Sequence, residues 1–145
     1  MIREIKRGDL HEKYFELLSQ LSGDVKAVNK EGLWTQYNNN AHHKVFVYEE
    51  VGLIMGTAAI FIEHKFLHCG SHVGHIEDVV VDHKHRGKGI GEALIEHCRE
   101  YATEWGCYKV ILNCASDKVA FYKKCGFWTD TIGMRYEECV EYLDL

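Results

Sequence analysis

Val79-Val80-Val81-Asp82-His83-Lys84-His85-Arg86-Gly87-Lys88-Gly89-Ile90-Gly91 is the stretch on which the reading of this chain turns. The valines belong to a stretch, Val73 to Asp82, that reads as a strand, with Ile76, Asp78 and Val80 expected on one face and His75, Glu77, Val79 and Val81 on the other. Beyond the glycines, Ile90, Ala93, Leu94, His97 and Tyr101 repeat with helical period as far as Trp105, where Gly106 offers a stop. Strand, basic glycine turn and helix therefore follow without a gap. Glycines let the backbone curl so that successive amides point into one concavity, and the helix start adds its positive dipole end. Lys84, Arg86 and Lys88 add three positive charges with no acidic residue between them. Such a nest holds a diphosphate through charge-assisted hydrogen bonds. The competing reading is a plain turn whose glycines permit tight curvature and whose basic side chains are solvated.

Spacing separates the nucleotide motifs. A P-loop requires Ser or Thr after its Gly-Lys ending, whereas Gly89 is followed by Ile90. A dinucleotide turn requires Gly-x-Gly-x-x-Gly, and Gly87, Gly89 and Gly91 have the wrong interval. Working outward, Ile2 and Ile5 fit a first strand, and Asp9 is placed to cap a helix carrying Leu10, Tyr14, Leu17, Leu18 and Leu21. A second helix is expected near Asn29 to Asn40. Lys44 to Glu50 and Ile54 to Glu63 read as antiparallel strands joined at Val51-Gly52, with a loop at Cys69 to His72. Tyr108 to Asn113 reads as a strand, Asp117 to Lys124 as a short helix, and Trp128 onward as a last strand.

Composition bounds the function classes. The 145 residues carry 17 Lys and Arg against 22 Asp and Glu, a net charge of −5 that excludes a generally basic nucleic-acid coat. The longest apolar run, near Leu53 to Ile62, contains Gly56 and Thr57, so no membrane span is expected. The length suits one domain over 1–145 with a single core. Six cysteines without CxxC spacing, in a chain opening Met1-Ile2-Arg3-Glu4, point to reduced thiols and a cytoplasmic protein. His64, His68 and His72 recur every four residues, but on strand and loop that period does not converge, so no metal is expected.

Arg86-Gly87-Lys88-Gly89-Ile90-Gly91 resembles the Arg/Gln-x-x-Gly-x-Gly/Ala motif of the Gcn5-related N-acetyltransferase (GNAT) family. Glu63 to His68, His75 to Val81, and Gly106 to Leu112 followed by Phe121 to Phe127 resemble, more narrowly, the branch of that family that acetylates glucosamine 6-phosphate. The likeness runs from about Ile54 to Phe127. It implies an α/β chain of the α+β kind, with a mixed, mostly antiparallel sheet flanked by helices and splayed around acetyl-CoA.

By the same resemblance Arg86, Gly87, Lys88, Gly89, Ile90 and Gly91 hold the diphosphate. The pantetheine lies along Val79, Val80 and Val81, and the Val79 amide polarises the thioester carbonyl. Tyr122 protonates or hydrogen-bonds the departing sulfur. Glu77, Asp78 and Val79 meet the sugar and amine, Lys65 and His68 the sugar phosphate, and Ser22 takes the place of a contacting threonine. Asn113 stands where the family usually has an acidic residue that receives the amine proton. Arg135 is the nearest candidate for an arginine contributed across a homodimer. The implied reaction is direct transfer from acetyl-CoA to a phosphosugar amine, supplying UDP-N-acetylglucosamine synthesis. Adjacent Glu77 and Asp78, expected on opposite strand faces, argue against a two-carboxylate pair acting on one atom. A non-catalytic acetyl-CoA sensor and a transferase for another small amine are the alternatives.

Overall fold

A five-stranded sheet in the order β1-β2-β3-β4-β5 organises the chain: β1 Ile2–Glu4, β2 His43–Glu50, β3 Leu53–His64, β4 His72–Val81 and β5 Cys107–Ile111. The computed structural model describes residues 1–23, 25–26 and 29–138, so Cys139 lies outside the described residues. The first three strand pairs are antiparallel and β4 with β5 is parallel, the expected mixed sheet. Between β2 and β3, Val51 and Gly52 have φ of 51° and 75°, the pair of positive values that a two-residue hairpin needs.

Period-two alternation along β3 divides the core. Ala58, Ile60 and Ile62 join Phe46 and Ile76 against Leu94, Ile95, Cys98 and Ala102 of α4, Ile90–Glu104. The opposite face buries Val47 with Ile5 and with Tyr14 of α1, Glu12–Ser22. Leu10, Trp34 and Tyr37 close that second cluster, the last two from α2, Lys30–Asn38, which Asn29 caps by accepting from the Gly32 amide at 2.8 Å. Thr57 is almost fully buried and satisfied, donating to the Phe46 carbonyl at 2.9 Å with the Tyr14 hydroxyl 3.1 Å away. Among the described residues no helix is long and apolar enough to cross a membrane.

Three local expectations change. Asp9 does not cap α1. It ends a short 3-10 turn, Arg7–Asp9, and its carboxylate is taken by the Arg3 guanidinium at 2.7 and 2.9 Å, leaving His11 at the cap. The loop after β3 contains a single turn, α3 Leu67–Gly70, in which His68 and Cys69 have φ of 50° and 58°. Within 128–138 there is no strand. Ile132, Met134 and Tyr136 alternate with polar residues as a strand would, yet stay exposed, because alternation needs a sheet edge to pair with and this segment takes none.

The Arg3 guanidinium, hydrogen-bonded to the Asp9 carboxyl, holds it below its ordinary range against the opposing effect of burial. A depressed carboxyl contributes stability that is complete above about pH 4 and is lost as pH falls through the folded-state value. Asp9→Asn is expected to lower stability at neutral pH and flatten the acid limb of the stability profile, measured by urea denaturation between pH 7 and pH 3.

Candidate active site

β4 and β5 are paired only from His72↔Cys107 to His75↔Ile111. Beyond that point β4 continues to Val81 against β3, and among the described residues its other edge has no strand partner. The departure coincides with a bulge. Ala59 pairs with Glu77 and Thr57 with Val80, leaving two β4 residues opposite one on β3. Asp78 takes up the difference at φ 52°, a left-handed value uncommon outside glycine. The bulge reverses the phase of the strand. Val79 and Val81 pack toward the α4 core with Ile76, while Val80, paired with Thr57, is buried on the other side. The strict alternation expected from the sequence is thus broken at Asp78, whose charge is felt by Tyr14 on α1 and His43 on β2. The opposite-face argument for Glu77 and Asp78 lapses with it.

The strand runs into the glycine turn at Asp82, whose amide bonds the Met55 carbonyl at 2.8 Å. Gln20, from α1, clamps the turn from outside: its carbonyl oxygen accepts from the His83 amide at 2.9 Å and its amide nitrogen reaches Asp82 at 3.3 Å. A single polar residue on an amphipathic helix carries no signal of this in sequence. Gly87 and Gly89 both have φ of 79°, and a Cβ at either would meet nothing within 4 Å, so backbone conformation rather than crowding demands glycine. Gly89 caps α4, whose first-turn amides open toward the turn. Gly91 has a different reason. A Cβ there would stand 3.0 Å from Cζ of Phe121, so its absence lets α5, Val119–Lys124, seat on α4. Arg86 folds back, its Nε donating to the Val81 carbonyl at 3.2 Å.

Seating α5 in this way places Tyr122, in the middle of the helix, edge-on to Phe121 and Phe127 at 5.0 and 6.1 Å. Burial pushes its phenol up to about 12, with the neighbouring thiols of Cys114 and Cys125 adding to the shift. It is therefore protonated at any working pH and available as a donor. Cys125 is itself pushed up, chiefly by burial, away from thiolate character.

The remaining candidates divide. Glu77 and Asp78 are exposed at the bulge, and Ser22 is exposed at the end of α1. Asn113 follows β5 with its side-chain oxygen against the backbone at Gly133. The backbones of Lys65 and His68 lie further along, beyond the end of β3: Glu77 pairs with Ala59, six residues before Lys65. Lys65 Nζ is 3.6 Å from the Glu63 carboxylate, and the His68 ring lies on Tyr108 at 4.2 Å. Arg135 is exposed and ion-paired to Glu137 at 3.2 Å. His64 and His72 stack at 4.7 Å across β3 and β4, so the histidine period spreads over the surface, and among the described residues no three ligating side chains are grouped to hold a metal.

An unpaired strand edge, a left-handed glycine turn at a helix start and a protonated phenol beside them suit a ligand with an extended arm, a diphosphate and a leaving atom that needs a proton. The Acetyltransferase (GNAT) family model matches residues 9–127. The chain is 36% identical over 139 residues to glucosamine 6-phosphate N-acetyltransferase 1 of Oryza sativa subsp. japonica, covering 92% of this chain and 84% of that protein. With the Trypanosoma brucei brucei glucosamine 6-phosphate N-acetyltransferase it shares 46% over 94 residues, 65% of this chain and 64% of that one. The crystal structure of glucosamine-6-phosphate N-acetyltransferase from Arabidopsis thaliana superposes with a TM-score of 0.89 at 36% identity, over 94% of this chain and 97% of that chain.

The burial of Tyr122 is open to direct measurement. In an ultraviolet titration, the difference between wild type and Tyr122→Phe is expected to isolate one phenol ionising near 12, well above the value of about 10 for exposed tyrosines.

Proposed function

The chain belongs to the acetyltransferase (GNAT) family, and from that premise we propose that it transfers the acetyl group of acetyl-CoA to the amine of D-glucosamine 6-phosphate, releasing CoA and N-acetyl-D-glucosamine 6-phosphate. The observation that carries the reading is the open β4 edge ending in the left-handed glycine turn, in a chain alike over nearly its whole length to proteins named for this reaction. In this proposal the diphosphate of acetyl-CoA lies against Arg86, Gly87, Lys88, Gly89, Ile90 and Gly91. The pantetheine adds to the free edge at Val79, Val80 and Val81, where backbone amides serve without help from side chains. The Val79 amide faces the thioester carbonyl and stabilises the oxyanion that forms when the amine attacks. The new C–N bond forms as the C–S bond breaks, and Tyr122 donates to the departing sulfur. Attack is direct, with no acetyl-enzyme.

Glu77, Asp78, Ser22 and Asn113 surround the sugar in this reading. Lys65, whose Nζ reaches back to Glu63, and His68 are placed at the sugar phosphate, and Arg135 contributes to it from a second copy of the chain, which is the homodimer we propose. The exposed apolar alternation of Ile132, Met134 and Tyr136 supplies surface for it. Free thiols at Cys69, Cys98, Cys107, Cys114 and Cys125 suit a reducing cytoplasm, where the product feeds UDP-N-acetylglucosamine synthesis.

Steady-state thiol release from acetyl-CoA is expected to favour glucosamine 6-phosphate over glucosamine, glucosamine 1-phosphate and spermidine; preference for an unphosphorylated amine overturns the substrate. Tyr122→Phe is expected to lower kcat by about a hundredfold, the scale of a lost general acid, with KM for acetyl-CoA little changed. Gly89→Ala is expected to act the other way, raising that KM, because alanine resists the left-handed φ. Light scattering is expected to find twice the chain mass.

A further inference from the structure

On the sheet face opposite α4, His75 and Glu63 form a hydrogen-bonded pair that none of the assigned roles uses. Nε2 of His75 is 2.9 Å from Oε1 of Glu63. The Glu63 carboxyl is held below its ordinary range, first by that hydrogen bond and further by the charge of Lys65, so it is an acceptor only. Nε2 must then carry the hydrogen, which leaves the lone pair on Nδ1. The pair thus fixes one tautomer and orients the free nitrogen, as a carboxylate does for the histidine of a catalytic triad. The Phe61 ring, directly opposite in register, walls one side at 6.3 Å, while His75 keeps 29% of its side-chain surface exposed.

Glu77 lies two residues further along β4. The ladder is still regular between them, since His75 pairs with Phe61 and Glu77 with Ala59, so both side chains share one face at roughly 7 Å along the strand. An ammonium group must lose a proton before or during attack on a thioester, and the amide of Asn113 cannot take it.

We propose that the Glu63–His75 pair drains the amine proton of the acceptor sugar through the Glu77 carboxylate. This rests on the substrate reading above. The N–H bond of the amine breaks toward a Glu77 oxygen, Glu77 passes the proton to Nδ1 of His75, and the imidazolium is balanced by Glu63 until water removes the proton. His75 is a positioning residue, acting on the amine through Glu77. The charged and titratable groups set around it are Glu63 on β3 and Lys65 just beyond that strand, Glu77 on β4, Lys109 on β5, and His43 on β2 at the far end of the row His43, Phe61, His75 and Ile111.

Nitrogen-15 NMR of the imidazole and pH profiles of kcat for wild type, His75→Gln and Glu63→Gln test this together. The expected spectrum shows hydrogen on Nε2. Glu63→Gln, which keeps an acceptor but removes the charge that balances the imidazolium, is expected to carry the acid limb of kcat to lower pH. His75→Gln is expected to lose about tenfold or more in kcat at pH 7, to recover at alkaline pH where the amine arrives neutral, and to keep KM for glucosamine 6-phosphate within twofold. Hydrogen on Nδ1, an acid limb that neither variant moves, a deficit equal at every pH, or a loss confined to KM overturns the proposal while leaving the substrate reading standing. Wild-type protein that acetylates no amino sugar overturns both, whatever the tautomer.

Discussion

The parting of β4 from β5 after His75 and Ile111 is the constraint on which the rest of the structure depends. Two parallel strands that stayed paired to their ends would satisfy one another's amides and offer nothing to a ligand. Here β4 stays paired with β3, and the left-handed Asp78 inserts the extra residue that reverses the phase of the strand. Backbone strain of this kind persists only where the surroundings over-determine it. Ile76, Val79 and Val81 are all pinned on the α4 side, Val80 opposite Thr57 on the other, and neither set can be satisfied without the bulge.

The same logic explains why the turn beyond Val81 is tied down from several directions. Asp82 bonds back to Met55, Gln20 bridges to it from α1, and Arg86 returns to Val81. A nest of amides binds an anion well only if its geometry is set beforehand, because ordering it on binding would subtract from affinity. The glycines contribute unequally. Gly87 and Gly89 supply backbone conformation, while Gly91 supplies room for Phe121, and through it the placement of Tyr122. One motif thus positions both ends of the proposed cofactor site, the diphosphate turn and the phenol at the sulfur.

How much was legible before folding differs by residue. The strand, glycine turn and helix from Val79 to Trp105 could be read because period-two and period-3.6 patterns meet at Gly87 to Gly91, and the α2 cap at Asn29 and the Val51-Gly52 hairpin follow from equally local rules. Asp9 departs from the capping pattern because its carboxylate answers to Arg3 on β1, a partner that capping rules do not contain. Ile132 to Tyr136 carries a strand pattern with no sheet edge to accept it. Gln20 gave no signal, and the motifs that contain Glu63 and His75 do not show that the two are paired, since these contacts join residues far apart along the chain or on neighbouring strands.

By itself the sequence determined most of the elements and the family likeness and pointed to an anionic ligand, because those depend on periodicity, on spacing and on a short basic turn free of acid. Tertiary structure alone decided where β4 opens, which face each side chain of its second half takes, and that Glu63 meets His75. Those outcomes follow from strand register and from one left-handed residue. A shift of one position in a ladder reverses every side chain beyond it, and no local pattern records where that shift occurs.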